Sequence, residues 1–420
     1  MSSYGYDAPV PRVLLLLPTT SYRTPDFLAA AQRLGLDVTV ASEEASTMEP
    51  LNPSGLLTLD FADLAACAET AAAFAATTPI DAVVGVDERT AVVAAAVAAR
   101  LGLPHDAVAA VAAAGNKAVM RQRLAEAGVL APRHRLFSTA ADPRDASRQA
   151  SYPCVLKPTF LAASRGVIRA DDPAQFVEAW RRIADILAQP AVKERGSAAA
   201  GEILVEDFVA GEEVALEGLL TGGTLRVLAI FDKPDPLDGP YFEETIYVTP
   251  SRHPAAVQEA CAHAAQAAAR ALGLREGPIH AEMRVDGVRV SIIEVAARSI
   301  GGLCSRTLRF GTGMSLEELI LRHALGREIP GAERDAAAAG VMMIPIPGAG
   351  ILQEVRGLDA ARAVEGIEEV TISAHVGARL VPLPEGDRYL GFIFSRAATP
   401  ERAEAALRDA HARLEFRIGA

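Results

Sequence analysis

Residues 279–302 read IHAEMRVDGVRVSIIEVAARSIGG, two strand-like runs meeting at Asp286-Gly287, a strong hairpin signal. Each run alternates or is β-branched, and each carries one carboxylate, Glu282 and Glu294. Two glutamates reached from neighbouring strands, followed by Arg298 and Gly301-Gly302, suit Mg²⁺ and phosphate oxygens. Mg²⁺ takes one or two carboxylates together with phosphate oxygens and water. The competing reading is a solvated hairpin with scattered charges. The alternation itself poses a problem. A two-residue turn at Asp286-Gly287 sets His280, Glu282 and Arg284 on one face, with Arg289 and Ser291 opposite them. The other face is then Ala281, Met283, Val285, Val288, Val290 and Ile292. In that register Glu294 falls on the wrong face, because side chains alternate strictly. For both carboxylates to share one metal, a bulge is expected around residues 291–293, or a longer turn with the same effect.

The chain has 420 residues, half of them apolar, enough for two or three domains with sizeable cores. Its net charge of −12 argues against nucleic acid or an anionic membrane surface as the main partner. No run approaches the roughly 18 apolar residues of a membrane span. The opening MSSYGYDAPVPR lacks the basic and apolar regions of a signal peptide. Four cysteines, Cys67, Cys154, Cys261 and Cys304, lie far apart without a CxxC, which suggests neither a disulfide framework nor a zinc site. A reducing cytoplasm is the expected compartment.

The first 110 residues alternate strand and helix signals: strands at 13–17, 37–41 and 82–86, helices at 25–34, 64–76 and 90–101. Such alternation implies a parallel α/β sheet covered on both faces. Ligands gather at the C-terminal strand ends of such sheets, here residues 18–23 and Asp87-Glu88-Arg89. No GxGxxG or GxxxxGK[ST] occurs, so neither a dinucleotide site nor a P-loop is expected. Beyond Asn116 come a helix at 117–127, a strand at 154–157, a polar loop at 159–166 and a helix at 173–187. Residues 193–200 read as a flexible tip. Strands are expected at 203–208, 213–220 and 225–231, then a Pro-rich loop at 232–240 and a long amphipathic helix at 253–272. From Gly331 onward short strands end in a helix at 400–414.

Several residues in this frame have chemical potential. Lys157 ends an apolar strand, where an ammonium is normally paired or holding an anion; a snorkelling surface lysine is the alternative. The loop LAASRGV (161–167) offers small residues and backbone N–H groups for a phosphate. In EDFVAGEEV (206–214), Glu206-Asp207-Phe208-Val209 closes a strand and Glu213 opens the next. Backbone at such a strand end can read an adenine edge while a carboxylate takes ribose hydroxyls; a hairpin with an acidic tip is the plainer reading. Lys233 follows another strand and faces either phosphates or solvent. His280-Ala281-Glu282 matches the H-x-E of zinc deaminases only superficially, since no P-C-x-x-C follows.

Taken in order, NKAVMRQRLAEAGVLAPRH, YPCVLKPTFLAASRGV, EDFVAGEEV, HAEMRV and IIEVAARSIGG resemble the ATP-grasp superfamily. The resemblance covers about residues 1–330 and includes a biotin-carboxylase-like N-terminal domain. It implies an α/β (α+β) architecture in three parts: 1–112, an ATP-grasp domain at 113–330 with a lid near 150–208, and a small α+β domain at 331–420. It further implies ATP and Mg²⁺ (or Mn²⁺ in its place) as cofactors. Lys117 and Lys157 would contact phosphates, with Ser164, Arg165 and Gly166 in the covering loop. Glu206 and the backbone of Phe208 and Val209 would hold adenine, and Glu213 the ribose. Glu282 and Glu294 would ligate Mg²⁺, with Lys233 and Arg298 near the transferred phosphoryl group. Many members carry Asn two residues after the second glutamate, where this chain has Ala296.

A narrower resemblance is to the L-amino-acid ligases, carried by GPYFEETIYVTPS (239–251), by IEVAAR and by the final 90 or so residues. It implies that Glu244 and Tyr247 contact the first amino acid and that Arg298 meets the substrate carboxylate or its acyl phosphate, with Glu88 facing the same pocket. Gly302, where some relatives have Trp, implies room for a larger substrate. The expected reaction joins two amino acids, or a related acid and an amine, through an acyl phosphate, releasing ADP and phosphate. Other ATP-grasp chemistry (biotin carboxylation or a purine-pathway ligation) and a non-catalytic nucleotide-binding module are the alternatives. Nucleic acid and membrane are not expected partners; a homodimer is expected by analogy only.

Overall fold

The computed structural model describes residues 10–419. The opening segment read for a leader therefore lies, through residue 9, outside the described residues. The N-terminal part is a four-stranded parallel sheet in the order Leu56–Thr58, Asp37–Ser42, Arg12–Leu16, Ala82–Gly85. Val13, Leu14, Leu15 and Leu16 are all fully buried, as expected of a strand covered on both faces. Its strand ends feed two cavity-facing loops: residues 17–23, and the Asp87 cap of helix Glu88–Leu101, where a capping box with Thr90 fixes the helix start.

The centre of the molecule is an eight-stranded antiparallel sheet. Its order is Arg289–Ala296, Gly277–Asp286, Glu212–Thr221, Thr224–Asp232, Ile246–Thr249, Ala338–Ile344, Gly391–Ala397, Ile367–Ile372. The last three strands come from the C-terminal region, which thus continues the central sheet instead of packing beside it. A three-stranded sheet of Arg379–Leu380, Gly350–Arg356 and Glu415–Gly419 completes that region, so a strand, not the helix Pro400–His411, is the closing element. Helix Ala255–Leu272 covers the central sheet with Val257, Cys261, Ala265, Ala268, Ala269 and Leu272 and stops at Gly273, φ +83°, a left-handed cap that glycine takes without penalty. Burying Leu272 alone is worth about 1.5–3 kcal/mol.

The segment expected as a lid near 150–208, called the lid below, begins earlier than expected: with His134–Ser138 it forms a separate four-stranded sheet, ordered His134–Ser138, Glu202–Asp207, Cys154–Lys157, Ile168–Ala170, with its own core around Phe176, Trp180, Ile183 and Leu156. The segment expected to be a flexible tip is instead helical, Pro190–Gly196 followed by a 3₁₀ turn Ser197–Gly201. Val192 is buried in the lid core and Ala200 is buried beside it in sequence; Pro190 at the helix start is a favoured first-turn residue.

Candidate active site

The hairpin forms with its turn at Gly287-Val288, one residue later than expected, pairing Asp286 with Arg289. Gly287 takes φ +61°, which shifts the partner register by two and so keeps the faces. Val288 consequently lies in the turn, 69% exposed, while Ala281, Met283, Val285, Val290 and Ile292 are buried as expected. The bulge is present. Met283 pairs with Ile292 but Glu282 pairs with Glu294, so Ile293 is the extra residue. The phase flips there, and the two carboxylates stand directly opposite each other on adjacent strands.

Both glutamates line a cavity of about 370 Å³ that draws walls from all parts of the chain. Lys117, Lys157, Ser164, Glu206, Phe208, Val209 and Glu213 line it, as do Glu88, Glu244, Tyr247, Ala296, Arg298 and Gly302. Lys233, Arg165 and Gly166 do not. Lys233 lies behind the wall, its ammonium 2.7 Å from Glu213 Oε1 and 3.5 Å from Glu282 Oε1, and in contact with Glu244. Glu213, Glu244 and Glu282 converge closely enough to share one ion, and Lys233 is the cation that contacts all three. Burial disfavours its charge, yet these carboxylates hold its pKa well above the usual lysine value. It is a fixed counter-charge, which corrects the expectation of a phosphate contact. Arg165 is instead engaged by Gln189 and Asp387, and the Gly166 N–H donates to Pro384 O at 2.8 Å.

At the other end Glu206, 3% exposed, receives Lys157 Nζ on Oε2 at 2.6 Å and lies 2.7 Å from Arg121 Nε. Lys117 Nζ reaches Glu294 Oε1 at 3.1 Å and Leu161 O at 2.9 Å. Three buried cations thus stand against two carboxylates. Burial lowers the pKa of Lys157, and neighbouring Arg121 and Lys117 add to this while Glu206 opposes it. This surplus of positive charge at a wall of small loop residues is an anion site in electrostatic terms.

His280 bridges two carboxylates, with Nδ1 2.9 Å from Glu217 Oε1 and Nε2 3.3 Å from Glu282 Oε1. Burial lowers its pKa, but the two carboxylates outweigh that and raise it to about 9, so the ring is an imidazolium. Burial also raises Glu244, and the neighbouring Glu282 and Glu213 add to it against Lys233. Arg298 is committed to Glu88 through Nε at 2.7 Å and through Nη2, while Nη1 donates to Ser299 O. Burial raises the Glu88 carboxyl, but Arg298 reverses this and holds it at about 2. Gly302 has φ +62°, and a Cβ there would meet Phe392 at 3.1 Å and Cys304 Sγ at 3.4 Å. Gly302 itself lines the cavity and Phe392 does not.

The hard oxygens of Glu282 and Glu294 suit Mg²⁺, and the closest protein cations approach Oε1 of each. Sequence reasoning missed Glu217, Arg121, Arg284, Asp387 and Tyr389, whereas Arg23 falls within the residues 18–23 expected at a strand end. Two had a signal. Glu217 is a lone charge in the apolar run VALEGLL, opposite His280 in register, and Arg121 lies four residues from Lys117 on one helix face.

Residues 28–105, 150–307 and 342–419 match the ATP-grasp N-terminal domain, the ATP-grasp domain and the L-amino acid ligase C-terminal domain 2. An uncharacterised protein of Sinorhizobium fredii is 27% identical over 72% of this chain and 61% of its own length. The alanine–anticapsin ligase of Bacillus subtilis is 29% identical over 53% of this chain and 49% of its own. The chain thus spans about half to six-tenths of the length of these relatives. The L-amino acid ligase from Bacillus licheniformis superimposes with a TM-score of 0.83 at 27% identity, over 98% of this chain and 99% of that one. The carboxyaminoimidazole ribonucleotide synthase of Aspergillus clavatus shares the fold, with a TM-score of 0.71 at 19% identity over 96% and 99% of the two chains. The chain carries an ATP-grasp N-terminal domain, an ATP-grasp domain and an L-amino acid ligase C-terminal domain 2, in the same overall fold as the L-amino acid ligase from Bacillus licheniformis.

Proposed function

We propose that the protein is an ATP-dependent carboxylate–amine ligase that joins two amino acids. The observation that carries this is the Glu282–Glu294 pair, brought face to face by the bulge at Ile293 in a cavity that also holds Lys117, Lys157, Glu244 and Arg298. ATP lies along the cationic end, its phosphates toward Lys117, Lys157 and the Ser164 loop. Phe208 and Val209 present backbone to adenine beside Glu206, and Glu213 faces the ribose. Mg²⁺, held by Glu282 and Glu294, neutralises phosphate charge when bound. The acid occupies the Glu244, Tyr247 and Arg298 side.

A carboxylate is a poor electrophile. Attack by one of its oxygens on the γ-phosphorus of ATP forms an acyl phosphate and releases ADP. The nitrogen of the second substrate then attacks the acyl carbon and loses a proton, and the C–O bond to phosphate breaks as the tetrahedral intermediate collapses. The chain contributes position and fixed charge. Lys117 and Lys157 steady the phosphates, Arg298 faces the developing oxyanion, and Lys233 keeps Glu213, Glu244 and Glu282 from repelling one another. The four cysteines are free and buried, which suits a reducing compartment.

The test is phosphate release from Mg·ATP, screened over single and paired amino acids with mass spectrometry of active wells. A product mass equal to two substrates minus water is the expected result. Phosphate release that depends on bicarbonate and not on any amino acid would replace this reading with a carboxylating one.

A further inference from the structure

The lid has its own sheet and its own core, and it meets the C-terminal region through one turn. Arg182, on lid helix Pro173–Ala188, donates from Nε and Nη2 to the two carboxylate oxygens of Glu385, each at 2.9 Å. That two-pronged geometry is the strong form of an arginine–carboxylate pair. Its third nitrogen goes to Tyr241 OH, and the guanidinium lies 5.2 Å from the Tyr241 ring centre. Beside it the Gly166 N–H donates to Pro384 O at 2.8 Å, and Arg165 Nη1 reaches Asp387 Oδ2 at 3.4 Å.

The same turn also faces the cavity, through Asp387 and Tyr389. The same cavity is lined by Ala163 and Ser164, both at φ +54°, a left-handed conformation that costs non-glycine residues and persists only where surroundings impose it. The Gly166–Pro384 hydrogen bond anchors the end of that strained loop, two residues away. One turn therefore both holds the lid, through Pro384, Glu385 and Asp387, and lines the cavity, through Asp387 and Tyr389.

We propose that residues 382–389 are the lid's docking point and that Arg182 and Glu385 are positioning residues. They hold residues 161–167 over the cavity between the two chemical steps. The proposal rests on the ligase reading for its kinetic consequence. An acyl phosphate open to water is lost when a water oxygen attacks the acyl carbon, regenerating the acid and releasing phosphate without product. A docked lid excludes that water, and docking onto a cavity-lining turn ties closure to the substrate that Asp387 and Tyr389 face.

The experiment compares Glu385→Arg, Arg182→Glu and the double charge swap with the parent. Both side chains are about one-third exposed, so the single variants are expected to fold. Two quantities are read: amide hydrogen exchange in residues 159–167 with Mg·ADP bound, and phosphate released per product formed. Each single reversal should speed loop exchange at least about tenfold, the factor expected for about 1.4 kcal/mol of lost docking. It should also raise phosphate per product at least threefold, and the swap should restore both. Loop exchange unchanged in both single variants would overturn the docking. Faster exchange restored by the swap, in a protein that makes no amide from any pair, supports the docking and removes only the ligase reading. Faster exchange with an unchanged phosphate-to-product ratio would overturn the water-excluding role.

Discussion

Replacing Glu88 by Gln tests the charge logic of the cavity most directly. Glu88 occupies the first turn of helix Glu88–Leu101 behind the Asp87 cap, where the helix dipole favours a negative charge, and it pairs with Arg298, only 13% exposed. A carboxyl that titrates near 4.5 when free and at about 2 in the folded chain contributes about 3 kcal/mol at neutral pH. Breaking a buried pair by removing one partner costs about 3–5 kcal/mol, so two independent routes give the same size. Because the folded pKa is the lower one, this stability is fully present above pH 4.5 and is lost as pH falls from 4.5 through 2. At about 2–4 °C per kcal/mol for large domains, Glu88→Gln should melt at least about 5 °C below the parent at pH 7. The two proteins should converge as pH approaches 2. A carboxylate ligand should recover part of the loss, since Arg298 is then free to hold it. Scanning calorimetry or fluorescence melts from pH 7 to 2.5, with and without amino acid, read all of this. A difference under about 1 °C at pH 7, or parallel profiles through the acid range, would refute the coupling between Glu88 and Arg298.

Glu294→Ala and Lys157→Ala should each abolish ATP turnover in a folded protein, because Glu206 keeps Arg121 when Lys157 is lost; undiminished phosphate release in either would remove the phosphate and metal assignments. Glu244→Ala should raise the KM for the amino acid at least tenfold more than that for ATP, measured by steady-state kinetics; equal rises would move Glu244 out of the substrate pocket. His280→Leu leaves the fully buried Glu217 carboxylate without its partner, costing about 1–3 kcal/mol in thermal melts, whereas His280→Gln should retain most of the stability. Equal melting of the Leu and Gln variants would show that the Glu217 contact contributes nothing.

Three of the four strands of the parallel N-terminal sheet were legible, Arg12–Leu16 and Ala82–Gly85 most clearly, because each is an apolar run followed by a helix; the three-residue edge strand Leu56–Thr58 was not, being too short to leave a pattern. The C-terminal strands were legible as strands and not as part of the central sheet. Strands Ala338–Ile344 and Gly391–Ala397 pair with partners far away in sequence, and hydrophobic alternation reports which face a residue takes, never which edge it joins. Among site residues, those on one strand end were recoverable from local order. Lys233 was misplaced because three carboxylates arriving from three strands decide its direction, and Arg165 because its partner Asp387 lies 222 residues away.

Glu294 is the instructive case, since its apparent misfit with the alternation was the best local sign of the site. A strand whose core residues keep phase through Ile292 and then present a glutamate where an apolar residue belongs has two options. It can bury an unpaired charge, which is costly, or insert one residue and turn the charge to the other face. The chain does the second at Ile293. The result places like charges directly opposite on neighbouring strands, an arrangement that destabilises a sheet. Lys117 approaches one carboxylate, and Lys233 and His280 the other, which offsets the repulsion without removing the pair. A bulge that creates a like-charge pair, ringed by cations in the lining of a cavity, works against folding; in the function proposed above its value would lie in a metal cation that the pair shares with a bound polyphosphate.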